Sequence, residues 1–423
     1  MSEPLLPYEW PGSYFIGEEE IDAVQQVLLA RSPFRFYGHD LQRFAEQVEG
    51  AYRDRLGRRY ALAVNSGTAA LSVAMSALDI GPGDEVLIPG YLWVSCIAAV
   101  VRAGAIPRLV EIDESFCMDP ADLERKIGPH SKAVLIVHMS GACGDLDRLL
   151  HVSRAHNLLV LEDVAQANGA SFQGRPLGSF GDMAIFSFQL NKNMTSGEGG
   201  MVVCDDENLF QRAWACHDLG YPRDADGRLI FDNPDVQLWG QGSRMSELTA
   251  AMATVQVRKL DTIVSAMRRL SRRLYAGLAG IGGARPRQLV DPNGDSGAFV
   301  LLIWPDAETC RRMVAATQEA GVRTGPKGIN NVVVGDSWGL HLYYNNVSLV
   351  HRRGVNASGY PWTHPANTFA ASYGYGKGAL PHADDLFVRT SLLEVPPILS
   401  EDTCDRIIAI FRQCAADLGL PQG

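Results

Sequence analysis

Residues 191–200 read NKNMTSGEGG, an amine followed by two hydroxyls and by three glycines around a glutamate. A lysine in such a loop is ordinarily solvated. Lys192 can attack a carbonyl carbon only where desolvation or a cationic neighbour lowers its pKa and frees the amine. The small residues after it would let a ligand approach without side-chain clash. Other stretches carry the groups that such a ligand needs. VNSGTAAL (64–71) ends a predicted strand and opens a predicted helix, which puts Ser66, Gly67 and Thr68 at a helix N-terminus. Free N–H groups and the helix dipole favour an anion there, with a plain hydroxyl cap as the competing role.

LEDVAQANGA (161–170) sets Glu162 and Asp163 at the carboxyl end of a strand, with Gln166 three residues on. Adjacent strand residues face opposite ways, so at most one of the two acids enters a shared site. A carboxylate there either pairs with a heterocyclic N–H⁺ or caps the following turn. PGYLWVSC (89–96) places Tyr91 and Trp93 just past another strand, as stacking surfaces or as core. IFSFQLNK (185–192) adds Ser187 ahead of the lysine. An anion pocket, an aromatic, a carboxylate, a serine and a lysine thus fall on loops at one predicted sheet edge. Together these are the parts that hold pyridoxal phosphate: the phosphate at the helix N-terminus, the ring against the aromatic, the ring nitrogen beside the carboxylate and a Schiff base on the lysine.

Other ligand classes fit less well. The chain has no G-x-x-x-x-G-K-[ST] loop, and GLAGIGGA (277–284) follows a predicted helix, which is the wrong context for a dinucleotide fingerprint. The histidines lack H-x-x-x-H spacing, so no zinc or other metal site is expected. With 38 basic and 48 acidic side chains the net charge is −10, which argues against a binder of nucleic-acid backbones.

The elements that must position these groups are also legible. EVLIP (85–89), PRLVEID (107–113), AVLIVHM (133–139), LLVLED (158–163), MAIFSF (183–188) and MVVCD (201–205) read as short strands. Several lack polar alternation, as strands buried on both faces do. TAALSVAMSAL (68–78) and DLDRLLHVSRAH (145–156) carry helical stripes between them. This alternation predicts an α/β fold, a mostly parallel sheet flanked by helices with its strands' carboxyl ends along one ligand-binding edge. At 423 residues two domains are expected. The boundary is placed at residue 260, inside the helical stretch 247–278, giving a large cofactor-binding domain (1–260) and a smaller C-terminal α/β domain (261–423). The segment 324–381 reads as irregular, functional loops. The start lacks a signal-peptide pattern, no apolar run approaches membrane-spanning length, and the eight cysteines form no C-x-x-C pair. A cytoplasmic protein with free thiols is the expectation.

SGTAAL, EDVAQANGA, GSFGD, FSF followed by Lys192, and TSGEGG resemble the DegT/DnrJ/EryC1/StrS aminotransferases, with matching order and spacing from about residue 14 to 397. The resemblance implies a fold-type I enzyme that moves an amino group from glutamate or glutamine to a keto sugar or keto cyclitol through pyridoxal and pyridoxamine phosphate. It implies a homodimer with shared active sites, in the biosynthesis of an amino sugar, aminocyclitol or antibiotic. By position it makes Lys192 the Schiff-base lysine, pairs Asp163 with the pyridine nitrogen, sets Gln166 beside the cofactor hydroxyl and stacks Trp93 on the ring. Gly67, Thr68 and Ser187 would hold the phosphate. Two positions depart from the family pattern: Gly242 stands for an asparagine ahead of Arg244, a cross-subunit phosphate contact, and Asn168 stands for a histidine expected near the substrate. Lys192 speaks against the family branch that replaces this lysine by histidine and dehydrates sugars, while Gln189 and Ser196 point to the glutamine-using cyclitol branch. An eliminating dehydratase, an oxidative deaminase and a non-catalytic binding protein are the competing readings. The aromatic- and Asn-rich region 338–375, which includes Trp338, His341, Tyr343, Tyr344 and Trp362, is expected to face the acceptor, with core packing accounting for some of these residues.

Overall fold

The computed structural model describes residues 3–224, 226–325 and 332–422. Part of the irregular segment expected at 324–381, residues 326–331, lies outside them. Seven strands build the larger sheet. They are β1 (Tyr60–Val64), β2 (Glu85–Pro89), β3 (Ile106–Val110), β4 (Ser131–Val137), β5 (Leu159–Asp163) and, after a short hairpin of β6 (Ser171–Phe172) and β7 (Arg175–Pro176), β8 (Met183–Ser187) and β9 (Gly200–Cys204). Their order is β1-β9-β8-β5-β4-β2-β3. β2, β8 and β9 are buried at every position, because helices cover both faces of the sheet and leave no side for polar alternation.

All neighbours pair in parallel except β9, which is antiparallel to both β1 and β8. The reason is the connection. A parallel return needs a crossover, usually a helix. Residues 188–199 form no helix and turn back at the sheet edge, so the lysine-bearing loop is itself the β8–β9 turn. β5 aligns Asp163 with Val137 of β4 and Ile185 of β8, so their carboxyl ends share one edge.

A second, antiparallel sheet has the order β10-β11-β13-β12, from β10 (Arg285–Pro286), β11 (Phe299–Ile303), β12 (Val333–Val334) and β13 (Thr390–Glu394). One continuous helix, Glu247–Leu278, joins the two parts, capped by Ser246 accepting from the Thr249 N–H. The boundary expected at 260 falls within it. The helix contributes Leu260, Val264 and Met267 to the larger apolar core, and Leu270, Leu274 and Leu278 to the smaller. The irregular segment then returns to the first core through Leu342, Tyr343, Leu380 and Phe387. We propose that the two cores mark two domains that change over between Met267 and Leu270. Among the described residues no helix is long and apolar enough to cross a membrane.

Glu162 is fully buried and faces away from the strand-end cavity. It accepts hydrogen bonds from the N–H groups of Gly178, Phe180 and Gly181 and from His138 Nε2. These donors hold its pKa below the ordinary carboxylate value although burial opposes them. Glu162→Ala would strand several buried donors, and urea unfolding should show a loss of about 3–5 kcal/mol.

Candidate active site

A cavity of about 450 Å³ opens at the carboxyl edge of the larger sheet, within the range of small-molecule sites. All seven residues singled out from the sequence line it: Gly67, Thr68, Trp93, Asp163, Gln166, Ser187 and Lys192. They come from four places: the helix start at Gly67–Thr68, the turn after β2 at Trp93, the end of β5 at Asp163 and Gln166, and the end of β8 at Ser187 and Lys192.

Asp163 ends β5 and is 4% exposed. Its Oδ1 accepts from the Ala165 N–H at 2.9 Å and its Oδ2 from the Cys96 thiol at 3.1 Å. It therefore caps the next turn and faces the cavity at once. Burial raises its pKa, opposed by those two donors and by the positive field of Lys192. Burial also pushes the Lys192 amine below its ordinary pKa, against the negative fields of Asp163 and Glu394. Desolvation thus acts on both groups toward their neutral forms, which is what a nucleophilic amine needs. The lysine loop is pinned from the N-terminal segment, where the Gly12 N–H donates to the Lys192 carbonyl at 3.1 Å.

The glycines after Lys192 have a different task from the ligand approach expected of them. Gly197 turns the chain at φ +81°, and a Cβ on Gly200 would lie 2.6 Å from the Ser66 carbonyl oxygen. They let β9 pass against the backbone of the anion turn. The loop hydroxyls are spent internally too: Thr195 donates to the Phe188 carbonyl and Ser196 to that of Glu198.

At the anion turn Ser66 is the helix cap, accepting from the Ala69 N–H, while Gly67 and Thr68 in the first turn of Gly67–Ala77 line the cavity. N–H groups of a first turn have no intrahelical acceptor. A Cβ on Gly67 would stand 2.7 Å from the Ser187 Cβ, so glycine is required for Ser187 to close on this turn. Thr68 Oγ1 and Ser95 Oγ share a hydrogen bond of 2.9 Å. This cradle fits a phosphate, and the amine, carboxylate and aromatic around it fit a pyridoxal ring.

Tyr91 and Trp93 divide their roles. Tyr91 is 1% exposed and hydrogen-bonds Ser140, hence core; Trp93 is 43% exposed on the cavity wall, its ring 4.8 Å from that of His341. Gln166 accepts from the Ser140 N–H and meets His341 Nε2 at 3.2 Å. His341 Nδ1 lies 3.0 Å from the Trp338 carbonyl, which can only accept, so the proton is on Nδ1 and Nε2 accepts from the Gln166 amide. Burial, with Lys192 adding to it, pushes the His341 pKa down to about 4.

One expectation is corrected. Asn168 is buried and donates to the Tyr52 hydroxyl, while its carbonyl accepts from Asn193; it braces the lysine loop and does not line the cavity. Arg244, expected to serve a partner copy's phosphate site, does not line this chain's own cavity and is ion-paired with Asp218 at 2.6 Å. Of the five aromatic-region residues only Trp338 and His341 reach the cavity. Tyr343 is buried and donates to Asp384, Tyr344 packs against Phe387, and Trp362 donates to the Arg353 carbonyl. Sequence reasoning missed Ser95, Cys96 and Glu394. The first two follow Trp93 on the same turn and were within reach of a helical reading. Glu394 ends β13 of the other sheet and has no local motif.

A parallel sheet with a lysine turn, an anion-binding helix start and a strand-end carboxylate on one edge is the architecture of fold-type I pyridoxal phosphate enzymes. The model of the DegT/DnrJ/EryC1/StrS aminotransferase family matches residues 15–328. The chain belongs to that family, and pyridoxal 5′-phosphate is the cofactor that membership carries. A Streptoalloteichus tenebrarius protein assigned as an L-glutamine:3-amino-2,3-dideoxy-scyllo-inosose aminotransferase is 37% identical over 294 residues, 68% of each chain. GDP-perosamine synthase of Caulobacter vibrioides is 40% identical over 229 residues, 54% of this chain and 60% of that one. The chain thus spans about two-thirds of the length of the relatives it matches. The crystal structure of 3-amino-5-hydroxybenzoic acid synthase superposes with a TM-score of 0.79 at 24% identity, over 98% of this chain and 100% of that one, and shows the shared fold.

The depressed His341 pKa makes a signed prediction. Between about pH 4 and its unfolded value of about 6.5 the unfolded chain binds a proton there that the folded chain does not. His341 therefore lowers stability as pH falls through that window. His341→Gln should flatten the stability-against-pH curve there, measured by urea unfolding at several pH values.

Proposed function

We propose that the protein transfers the amino group of glutamine to a keto cyclitol, in two half-reactions on pyridoxal phosphate. The observation that carries this is the single cavity in which a desolvated lysine, a buried strand-end carboxylate and an anion turn meet. The scyllo-inosose-type relative supports the donor and the acceptor class. A nucleotide-linked keto sugar is the second reading, supported by the likeness to GDP-perosamine synthase. The eliminating and deaminating alternatives find no support among these relatives.

When bound, the cofactor supplies a carbonyl carbon for amines and a ring that takes up electrons as a proton leaves the donor's Cα. Lys192 would hold the cofactor through Nζ, and its amine, once freed, would carry the proton that leaves the donor's Cα. Burial lowers the pKa of that amine and so favours its neutral, basic form. Asp163 holds the proton at the ring nitrogen. Gln166, fixed by Ser140 and His341, would stand beside the ring hydroxyl, and Trp93 would cover one ring face. Gly67, Thr68 and Ser187 take the phosphate. The cavity wall of Trp338 and Phe299 limits water around the acceptor.

We further propose a homodimer, cytoplasmic, in secondary metabolism. Leu219, Phe231 and Trp239 are 53%, 70% and 96% exposed on one connecting segment, apolar surface that a second copy would cover. Arg244 lies just beyond that segment and would serve a neighbouring copy's phosphate site in such a dimer. All eight cysteines are free and buried, as in a reducing compartment.

Lys192→Ala should abolish both the visible absorbance of lysine-bound cofactor and turnover; persistence of either would sink the assignment. With glutamine labelled by heavy nitrogen at its α-amine, the label should reach a scyllo-inosose-type ketone with one keto acid released per transfer. Label appearing only in ammonia would mean deamination instead. Light scattering should give twice the chain mass, and Trp239→Asp should shift it toward one chain.

A further inference from the structure

The turn that follows β2 does more than present Trp93. Trp93 is the N-cap residue of the helix Val94–Ala103, and Ser95 and Cys96 are in its first turn. Trp93 lines the cavity, Ser95 hydrogen-bonds Thr68 of the anion turn, and Cys96 Sγ lies 3.1 Å from Asp163 Oδ2. One short stretch, WVSC, therefore ties together the ring wall, the anion turn and the carboxylate.

Cys96 has no exposed surface. A buried cysteine commonly serves as a small apolar filler, but this sulfur faces a carboxylate oxygen at a distance short for a sulfur contact. Burial and the negative field of Asp163 keep the thiol protonated. The hydrogen therefore sits on sulfur, and the carboxylate accepts it. Oδ1 is engaged by the Ala165 N–H. Donors on both oxygens fix the plane of the carboxyl group. They also favour its charged form against the burial that opposes it. Each oxygen keeps a second lone pair for a further donor.

We propose that Cys96 is a positioning residue: its thiol hydrogen bond orients Asp163 and keeps it ionised to serve the cofactor's ring nitrogen. This rests on the reading of Asp163 given above.

The test uses Cys96→Ala, Cys96→Ser and Asp163→Asn in the full-length chain. The infrared S–H stretch of the cofactor-free protein, isolated as the wild-type minus Cys96→Ala difference, should lie below that of a free thiol. It should move toward the free-thiol position in Asp163→Asn. Pyridoxal phosphate should dissociate about tenfold more readily from Cys96→Ala, while Cys96→Ser, which keeps a donor, should stay within about threefold of wild type. The midpoint of the bound cofactor's absorbance change with pH should shift in Cys96→Ala and return in Cys96→Ser. A free-thiol S–H band unaffected by Asp163→Asn would overturn the proposal. So would wild-type affinity and midpoint in Cys96→Ala, with the functional reading left standing. If wild type itself binds no pyridoxal phosphate, the functional reading fails and the proposal with it.

Discussion

Everything at the sheet edge depends on burying a lysine amine and an aspartate carboxylate in one cavity without letting them quench each other. Burial drives Lys192 toward the neutral amine and Asp163 toward the neutral acid. For the proposed chemistry the first tendency helps and the second must be resisted. The donors around Asp163 supply that resistance, since hydrogen bonds to a charged form favour it. Among the described residues no group hydrogen-bonds the Lys192 amine, while its backbone carbonyl is held by the Gly12 N–H. The asymmetry suits a group that moves beside one that does not.

The sheet topology explains why these groups meet. In parallel register Val137 and Asp163 end their strands in one row with Ile185, and β8 runs only two residues further, so the loops after β4, β5 and β8 leave at the same edge. Reversal of β9 then keeps the lysine loop short enough to stay at that edge, where a crossover helix would have carried it to a face. Gly200 is the steric condition for the reversal, because β9 must pass close to the Ser66 carbonyl. Gly67 is the condition for the next contact, Ser187 against the anion turn. Two glycines far apart in sequence thus serve one close approach of three backbones.

Most of this was legible because it is local. Buried strands appear as unbroken apolar runs, helix starts as hydroxyl caps, and ligand groups fall where runs end. Glu162 and Asp163 were separable in principle by alternation, and the structure sends only Asp163 to the cavity. What stayed hidden depends on contacts across long sequence distance. Asn168 sits beside Gln166 in sequence, yet its partners are Tyr52 and Asn193. The aromatic-rich segment could not be parsed because its irregular turns follow no period, so Tyr343 in the core and His341 in the cavity look alike on the page.

The same distinction separates chemistry from specificity in this fold. The seven residues read from sequence lie on the larger sheet's own loops, whereas Trp338, His341, Phe299 and Glu394 come from chain that lies beyond the long helix. Backbone bonds at Leu92 to the His341 carbonyl and at Tyr343 to the Gly90 carbonyl clamp that later chain onto the end of β2, the same turn that presents Trp93. A substitution among the later residues can therefore reshape that wall of the cavity while leaving the amine, carboxylate and anion turn in register.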